Sequence, residues 1–207
     1  MMFTRKDYMN AAEYYMQQKY GEKFESEYIY EGSVYVNPKS NPYRHVVVDV
    51  ETNDGMTYFH DNYVGYLKKA ELEKYIYELV KIYGECKVYI HPYGFVLDDS
   101  FNRDTDLMTY VSRGNYALDI FTYEDLENMR VDLNKICNIF MENNLECNVI
   151  NVTYITREDF NSLKETDIDN IYNSKNYLYS LDSIYDKKND TGFLNIHVLK
   201  GRDDYEK

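Results

Sequence analysis

Residues 43–51, YRHVVVDVE, constrain this chain more than any other stretch. Val46, Val47, Val48 and Val50 are β-branched and suit a pleated, at least half-buried backbone. Three valines in succession break strict alternation, which predicts a central strand covered on both faces. Asn41-Pro42 before it is a turn signal, and Asn53-Asp54-Gly55 after it is a hairpin signal. Residues 24–30 and 33–36 read as strands joined at Glu31-Gly32, and residues 56–59 as a short return strand. Together these make an antiparallel meander that needs something packed on its apolar face.

Helical patterns flank the meander. Residues 4–20 open with Thr4-x-x-Asp7, a form of the capping box. Tyr8, Ala12, Tyr15, Met16 and Tyr20 follow at helical spacing, and Gly21 supplies a stop. Residues 63–83 carry a second stripe, Leu72, Tyr75, Ile76, Leu79, Val80 and Tyr83, closed by Gly84. Lys19-Tyr20-Gly21-Glu22-Lys23-Phe24 leading into strands, and Asp61-Asn62-Tyr63 leading into a long helix, resemble small uncharacterised proteins of Gram-positive bacteria. Many of those carry a lipoprotein signal. The resemblance spans about residues 10–83 and implies a fold unit and an envelope-associated origin, with no chemistry attached. This chain departs from the pattern in lacking the signal and in adding a long second half.

In that second half, residues 86–90 predict a strand, and His91-Pro92-Tyr93-Gly94 a turn into residues 95–97. Residues 98–106 form an acidic loop. Residues 107–111 and 116–121 flank Ser112-Arg113-Gly114-Asn115 and read as a hairpin. Thr122 and Asp125 open a helix whose stripe is Leu126, Met129, Leu133, Ile136, Cys137, Phe140 and Met141. Residues 147–155 predict a strand, Thr156 and Asp159 a short helix, and residues 193–199 a strand with Leu194, Ile196 and Val198 on one face. Residues 167–190 are polar and give no clear assignment beyond a strand or ordered loop over 177–185. The fold class this implies is α+β, antiparallel meanders packed against amphipathic helices. Two similar lobes, 1–84 and 85–207, or one continuous domain, both fit.

Composition bounds function. A net charge of −13 disfavours binding to nucleic acid or anionic lipid and permits a basic partner. Tyrosine is unusually frequent, with 25 copies against no tryptophan. Tyrosine suits binding surfaces, its ring being rigid and its hydroxyl tolerant of water. A/T-rich codon usage explains the same excess, and carries more weight. Three cysteines, Cys86, Cys137 and Cys147, without CxxC spacing argue for a reduced compartment rather than a disulfide framework. No run is long and apolar enough for a transmembrane helix, and the amino terminus reads as lacking an apolar signal segment. These place the chain in the cytoplasm, or at the envelope if a signal segment has been removed.

Candidate chemistry is sparse. Asn102, Asp104 and Asp106 have the alternate spacing with which a calcium loop begins, but Leu107 stands where glycine is needed and Arg113 where the bidentate glutamate belongs. A solvated turn is the better reading. His45, His60, His91 and His197 never fall at metal-ligand spacing. His45 and His60 could meet across the meander near Asp49 and Asp61, which would permit acid–base work. No nucleophile elbow, phosphate loop or dinucleotide fingerprint is present. The sequence therefore names no catalytic, cofactor-binding or metal residue and leans away from an enzyme. It favours a soluble binding or accessory protein that holds a protein partner by a tyrosine-bearing sheet face or by residues 167–190. An acidic inhibitor or immunity-type protein against a basic or nucleic-acid-binding target, and an enzyme with a His/carboxylate site, are the alternatives.

Overall fold

The computed structural model describes residues 4–41, 46–92, 96–113, 116–123, 129–185, 192–193 and 196–201. The chain divides into two compact units, Met1–Lys69 with Pro92–Tyr110, and Ala70–His91 with Val111–Lys207. The class is α+β.

The first unit opens with helix α1 (Arg5–Tyr20). Thr4 caps it as its sequence predicts: the Asp7 amide donates to Thr4 Oγ1 at 3.3 Å, and the Thr4 amide donates to Asp7 Oδ2 at 2.7 Å. These bonds favour the ionised carboxylate and lower the Asp7 pKa. Ala12, Met16 and Tyr20, spaced by four, form the buried stripe. Strands β1 (Phe24–Tyr30), β2 (Ser33–Pro38), β3 (Val46–Asn53) and β4 (Met56–Asp61) then form a four-stranded sheet in sequence order. Both tight turns carry positive φ at two central residues, Glu31-Gly32 and Asp54-Gly55, which matches the twist of the strands they join. β3 is interior, and Val46, Val47 and Val48 are all buried. Val34, Val36, Val46 and Val48 face α1, where they meet Ala12, Met16, Tyr20, Phe24 and Tyr63. Residues 42–45, including His45, lie outside the described residues.

Helix α2 (Tyr63–Val80) begins in the first unit and ends in the second, finishing in a 3-10 turn at Lys81–Tyr83. Residues 107–111 correct the sequence reading. They form a short helix, α3 (Leu107–Val111), and not one arm of a hairpin. Asp106 decides this: its Oδ1 accepts from the Thr109 amide at 2.9 Å and its Oδ2 from the Thr109 hydroxyl at 2.6 Å, an N-cap arrangement.

The second unit is built on a five-stranded sheet in sequence order, β5 (Lys87–His91), β6 (Ala117–Thr122), β7 (Val149–Tyr154), β8 (Tyr179–Ile184) and β9 (His197–Lys200). The β6–β7 pairing is parallel and the other three are antiparallel. Helix α4 (Met129–Glu142) makes the crossover that a parallel pair requires. Its Leu133, Ile136, Cys137 and Phe140 are buried as the stripe predicts, while Met141 is exposed. Helices α5 (Arg157–Ser162), capped by Thr156, and α6 (Ile168–Asn173) supply Phe160, Ile168 and Ile171 to a cluster with Phe121, Ile155, Leu163 and Tyr177. The polar stretch 167–190 thus contains a helix and a strand with few apolar residues, of which Ile168, Ile171 and Leu181 are buried and Ile184 is exposed.

Candidate functional site

Alternation along the strands of the first sheet sorts its residues to two faces with different chemistry. The face toward α1 ends at Asp61, whose side chain is 0% exposed. Its Oδ2 accepts from Lys19 Nζ at 2.8 Å and from the Tyr15 hydroxyl at 3.0 Å. Its Oδ1 accepts from the Tyr20 hydroxyl at 2.7 Å and from the Tyr63 amide at 2.8 Å. The single Tyr15 hydroxyl proton is shared with Asp99 Oδ1, which stands closer at 2.5 Å, and Lys19 donates to the Tyr15 oxygen at 2.8 Å. Burial, and then the Asp61 charge, raise the Tyr15 and Tyr20 pKa values far above the ordinary tyrosine value. A carboxylate that accepts from Lys19, the Tyr20 hydroxyl and the Tyr63 amide, with a share of the Tyr15 proton, fastens α1 to the sheet.

The opposite face carries Tyr30, Tyr28, Tyr35, Tyr58, Met56, Asp49, Glu51 and His60. Tyr30 is 58% exposed, Met56 58%, Tyr58 43% and Tyr28 39%, so four large side chains meet solvent on one surface. Tyr28 and Tyr35 are cross-strand partners whose rings stack at 4.5 Å between centroids and 15° between planes. Partial burial and the neighbouring Tyr28, Tyr30 and Asp49 raise the Tyr35 pKa. The described charged residues that β1–β4 turn to this side, Glu25, Asp49 and Glu51, are acidic, with Glu27 and Glu31 beside them on the β1–β2 hairpin.

The histidines fall differently from the sequence expectation. His60 lies opposite Asp49 on the outer face, whereas Asp61 points to the other side of the sheet. His45, its expected companion, lies outside the described residues. His91, which the sequence assigned to a turn, ends β5 with its Nε2 2.8 Å from Asp119 Oδ2. Asp119 Oδ1 also accepts from Asn151 Nδ2 at 2.8 Å and from the Tyr172 hydroxyl at 2.9 Å. Thr153 continues the chain to Tyr172 at 2.9 Å and to Ser180 at 2.8 Å. Burial and the Asp119 charge raise the Tyr172 pKa. One register row, Tyr89, Asp119, Asn151, Asp182 and His197, crosses the whole second sheet. His197 is exposed and stands 3.4 Å from Asp182. These contacts depend on strand register, and no local spacing announces them.

The Asp98, Asn102 and Asp106 side-chain oxygens of the acidic loop serve its own backbone. Asp98 accepts from the Ser100 amide at 2.8 Å, Asn102 Oδ1 from the Asp104 amide at 2.8 Å, and Asp106 caps α3. Among the described residues, no three His, Cys, Asp or Glu side chains are grouped to hold a metal ion. In the second unit a cavity of about 240 Å³ opens beside the carboxyl ends of β6 and β7. Cys86, Asp132, Lys135, Tyr83 and Tyr154 line it, and burial with the Glu85 charge pushes the Cys86 thiol up to about 11. Among the described residues no helix is long and apolar enough to cross a membrane.

No family model matches this chain, and no curated protein matches it. Among solved structures it is similar to a DUF5037 family protein from Ruminococcus gnavus ATCC 29149, determined at 2.55 Å. The two share 13% identity and a TM-score of 0.43 over 91% of this chain and 94% of that one. A likeness this distant carries no inference about ligand or partner.

Proposed function

We propose that this chain is a binding or accessory protein, not a catalyst, and that it recognises a basic polypeptide segment through the outer face of its first sheet. The observation that carries the reading is the alignment of Tyr28, Tyr30, Tyr35, Tyr58 and Met56 on one surface flanked by carboxylates. Tyrosine offers contact area at low entropic cost, and its ring face attracts lysine and arginine. The acidic residues around the rings, and the net charge of −13, favour a partner of opposite sign.

The test is titration of an arginine- and lysine-rich peptide, with a glutamate-rich peptide of equal length as control, followed by calorimetry at two salt concentrations. The basic peptide binds, more weakly as salt rises. Joint replacement Tyr28→Ser and Tyr58→Ser weakens it by about 30-fold, the effect of losing one binding hot spot. Equal binding of both peptides, or an unchanged affinity in the double variant, refutes the reading.

A further inference from the structure

We infer that the cavity of the second unit is a binding site for a free α-amino acid with an apolar side chain, a function beyond the peptide recognition proposed above. The register of the parallel pair sets Ile120 beside Val152 and Thr122 beside Tyr154, so alternate residues of β6 and β7 turn one face to the cavity. Helix α4 supplies Asp132, Lys135 and Ile136, three and four positions apart and so on one side of the helix. Val80 at the end of α2, with Tyr83 and Cys86 after it, closes the flank. The site therefore lies at the carboxyl ends of two parallel strands beside their crossover helix, where open sheets leave a crevice for ligands. Its volume of about 240 Å³ is the space of about eight waters, enough for a molecule the size of leucine.

The lining specifies the ligand. Ile120, Ile136 and Val152 are buried and form the floor, whereas Tyr83, Cys86, Asp132 and Lys135 are each open to solvent in part. At the mouth a carboxylate and an ammonium stand side by side. Lys135 Nζ is 3.7 Å from Asp132 Oδ1 and 5.2 Å from the centre of the Tyr83 ring. The Tyr154 hydroxyl donates to Asp132 Oδ2 from 3.5 Å. Both contacts are longer than the about 2.5–2.9 Å of a closed charge-assisted bond. Empty cavities in proteins are apolar, and one with a charged wall takes up water or a solute. A ligand with a single charge meets its opposite here but is repelled by the like charge beside it. A zwitterion meets both. In an α-amino acid one carbon carries both charged groups, a spacing close to that of Asp132 and Lys135, so the ammonium faces Asp132 and the carboxylate faces Lys135. The side chain then lies along the Tyr83 ring and the Cys86 thiol, which favour an apolar group. The Thr122 hydroxyl is already given to the Glu85 carbonyl, at 2.9 Å.

Titration of the whole protein with L-leucine, read by backbone amide shifts and by iodoacetamide alkylation of Cys86, tests the inference. Isopentylamine (leucine without its carboxylate) and isocaproate (leucine without its ammonium) are the comparisons. Leucine moves the Cys86, Lys135 and Tyr154 signals saturably in the millimolar range. At about ten times its Kd it slows Cys86 alkylation about tenfold, the fraction of sites left empty. Each one-charge analogue binds about tenfold more weakly, the loss of one charge-assisted bond. Asp132→Asn and Lys135→Gln, at positions that are not buried, each weaken leucine about tenfold and invert the analogue preference. Asp132→Asn strengthens isocaproate by removing the like charge, and Lys135→Gln strengthens isopentylamine for the same reason. The Tyr28→Ser and Tyr58→Ser variant keeps the leucine response, so this site and the peptide face fail separately. Analogues that bind as tightly as leucine, variants with unchanged affinity, or leucine that neither moves these signals nor protects Cys86 would each overturn the inference.

Discussion

Replacing Asp61 by asparagine tests the ion pair that fastens α1 to the first sheet. The substitution keeps size and shape but removes the charge that Lys19 meets at 2.8 Å, and Lys19 is itself only 9% exposed. Breaking a buried pair by removing one partner costs about 3–5 kcal/mol, because the other charge is left uncompensated. Asp99, 3.7 Å from Lys19 and well exposed, offsets part of this loss, so the expected cost is near the lower end, about 3 kcal/mol. Lys19→Met should cost less, about 1–2 kcal/mol, since Asp61 keeps the Tyr20 hydroxyl and the Tyr63 amide as donors. Urea unfolding followed by circular dichroism reads both. With a slope of about 2 kcal/mol per molar, Asp61→Asn lowers the midpoint by about 1.5 M. Because the chain has two units, hydrogen exchange over α1–β4 and over β5–β9 shows whether the loss is confined to the first. The double variant should cost less than the sum of the singles, since Asp61→Asn strands no charge once Lys19 is gone. A single variant within about 0.5 kcal/mol of the parent, or strict additivity, would refute the reasoning.

Three further outcomes concern the buried tyrosines, Gly65 and Cys86. Tyr15, Tyr20, Tyr110 and Tyr172 all have raised pKa values against an ordinary tyrosine value of 10.0. Below that value both states hold the proton and the contribution is intact. Above it the unfolded chain releases protons that the folded one keeps, so stability falls by about 1.4 kcal/mol per pH unit for each such residue. Alkaline titration by tyrosinate absorbance should show a delayed fraction that ionises only on unfolding. Gly65→Ala in α2 should destabilise by about 1–3 kcal/mol despite the better helix propensity of alanine. The new Cβ would stand 2.6 Å from Pro92 Cβ and from the Tyr110 hydroxyl, and a thermal melt decides the sign. Cys86, with its thiol near 11, should alkylate slowly at neutral pH and about tenfold faster for each pH unit until that value, by mass spectrometry of iodoacetamide-treated protein.

Local chemistry was legible in the sequence wherever it is self-contained. The Thr4–Asp7 and Thr156–Asp159 caps, the Asp54-Gly55 turn, the valine strand and the Leu133, Ile136, Cys137 and Phe140 part of the α4 stripe depend on neighbours within a few residues, and each is where the spacing places it, whereas Leu126 lies outside the described residues and Met141 is exposed. Helix α3 was not legible because residues 107–111 are β-compatible in composition, and the decision falls to Asp106 as a cap. Helix α6 escaped because only Ile168 and Ile171 mark its buried side amid polar residues. The polar centres were the least visible. Asp61 draws partners from 41 to 46 positions away, and His91 meets Asp119 only because β5 and β6 pair in one register. The sorting of tyrosines to one face of the first sheet likewise needs strand order and phase, which a count of 25 tyrosines does not convey.

Ser26 pairs with Val36 and Tyr28 with Tyr35, so Glu27 is the surplus residue of a β-bulge, and it governs how molecules of this kind meet one another. β1 is the outermost strand of its sheet, where a flat ribbon with unpaired amides would invite a neighbouring chain to add a strand. One surplus residue, with Glu25 and Glu27 on either side of Ser26, spoils the regular ladder that such an addition copies. Growth of fibrils by stacking along this rim is thereby discouraged, and concentrated solutions of the protein should stay clear where a Glu27 deletion variant turns cloudy.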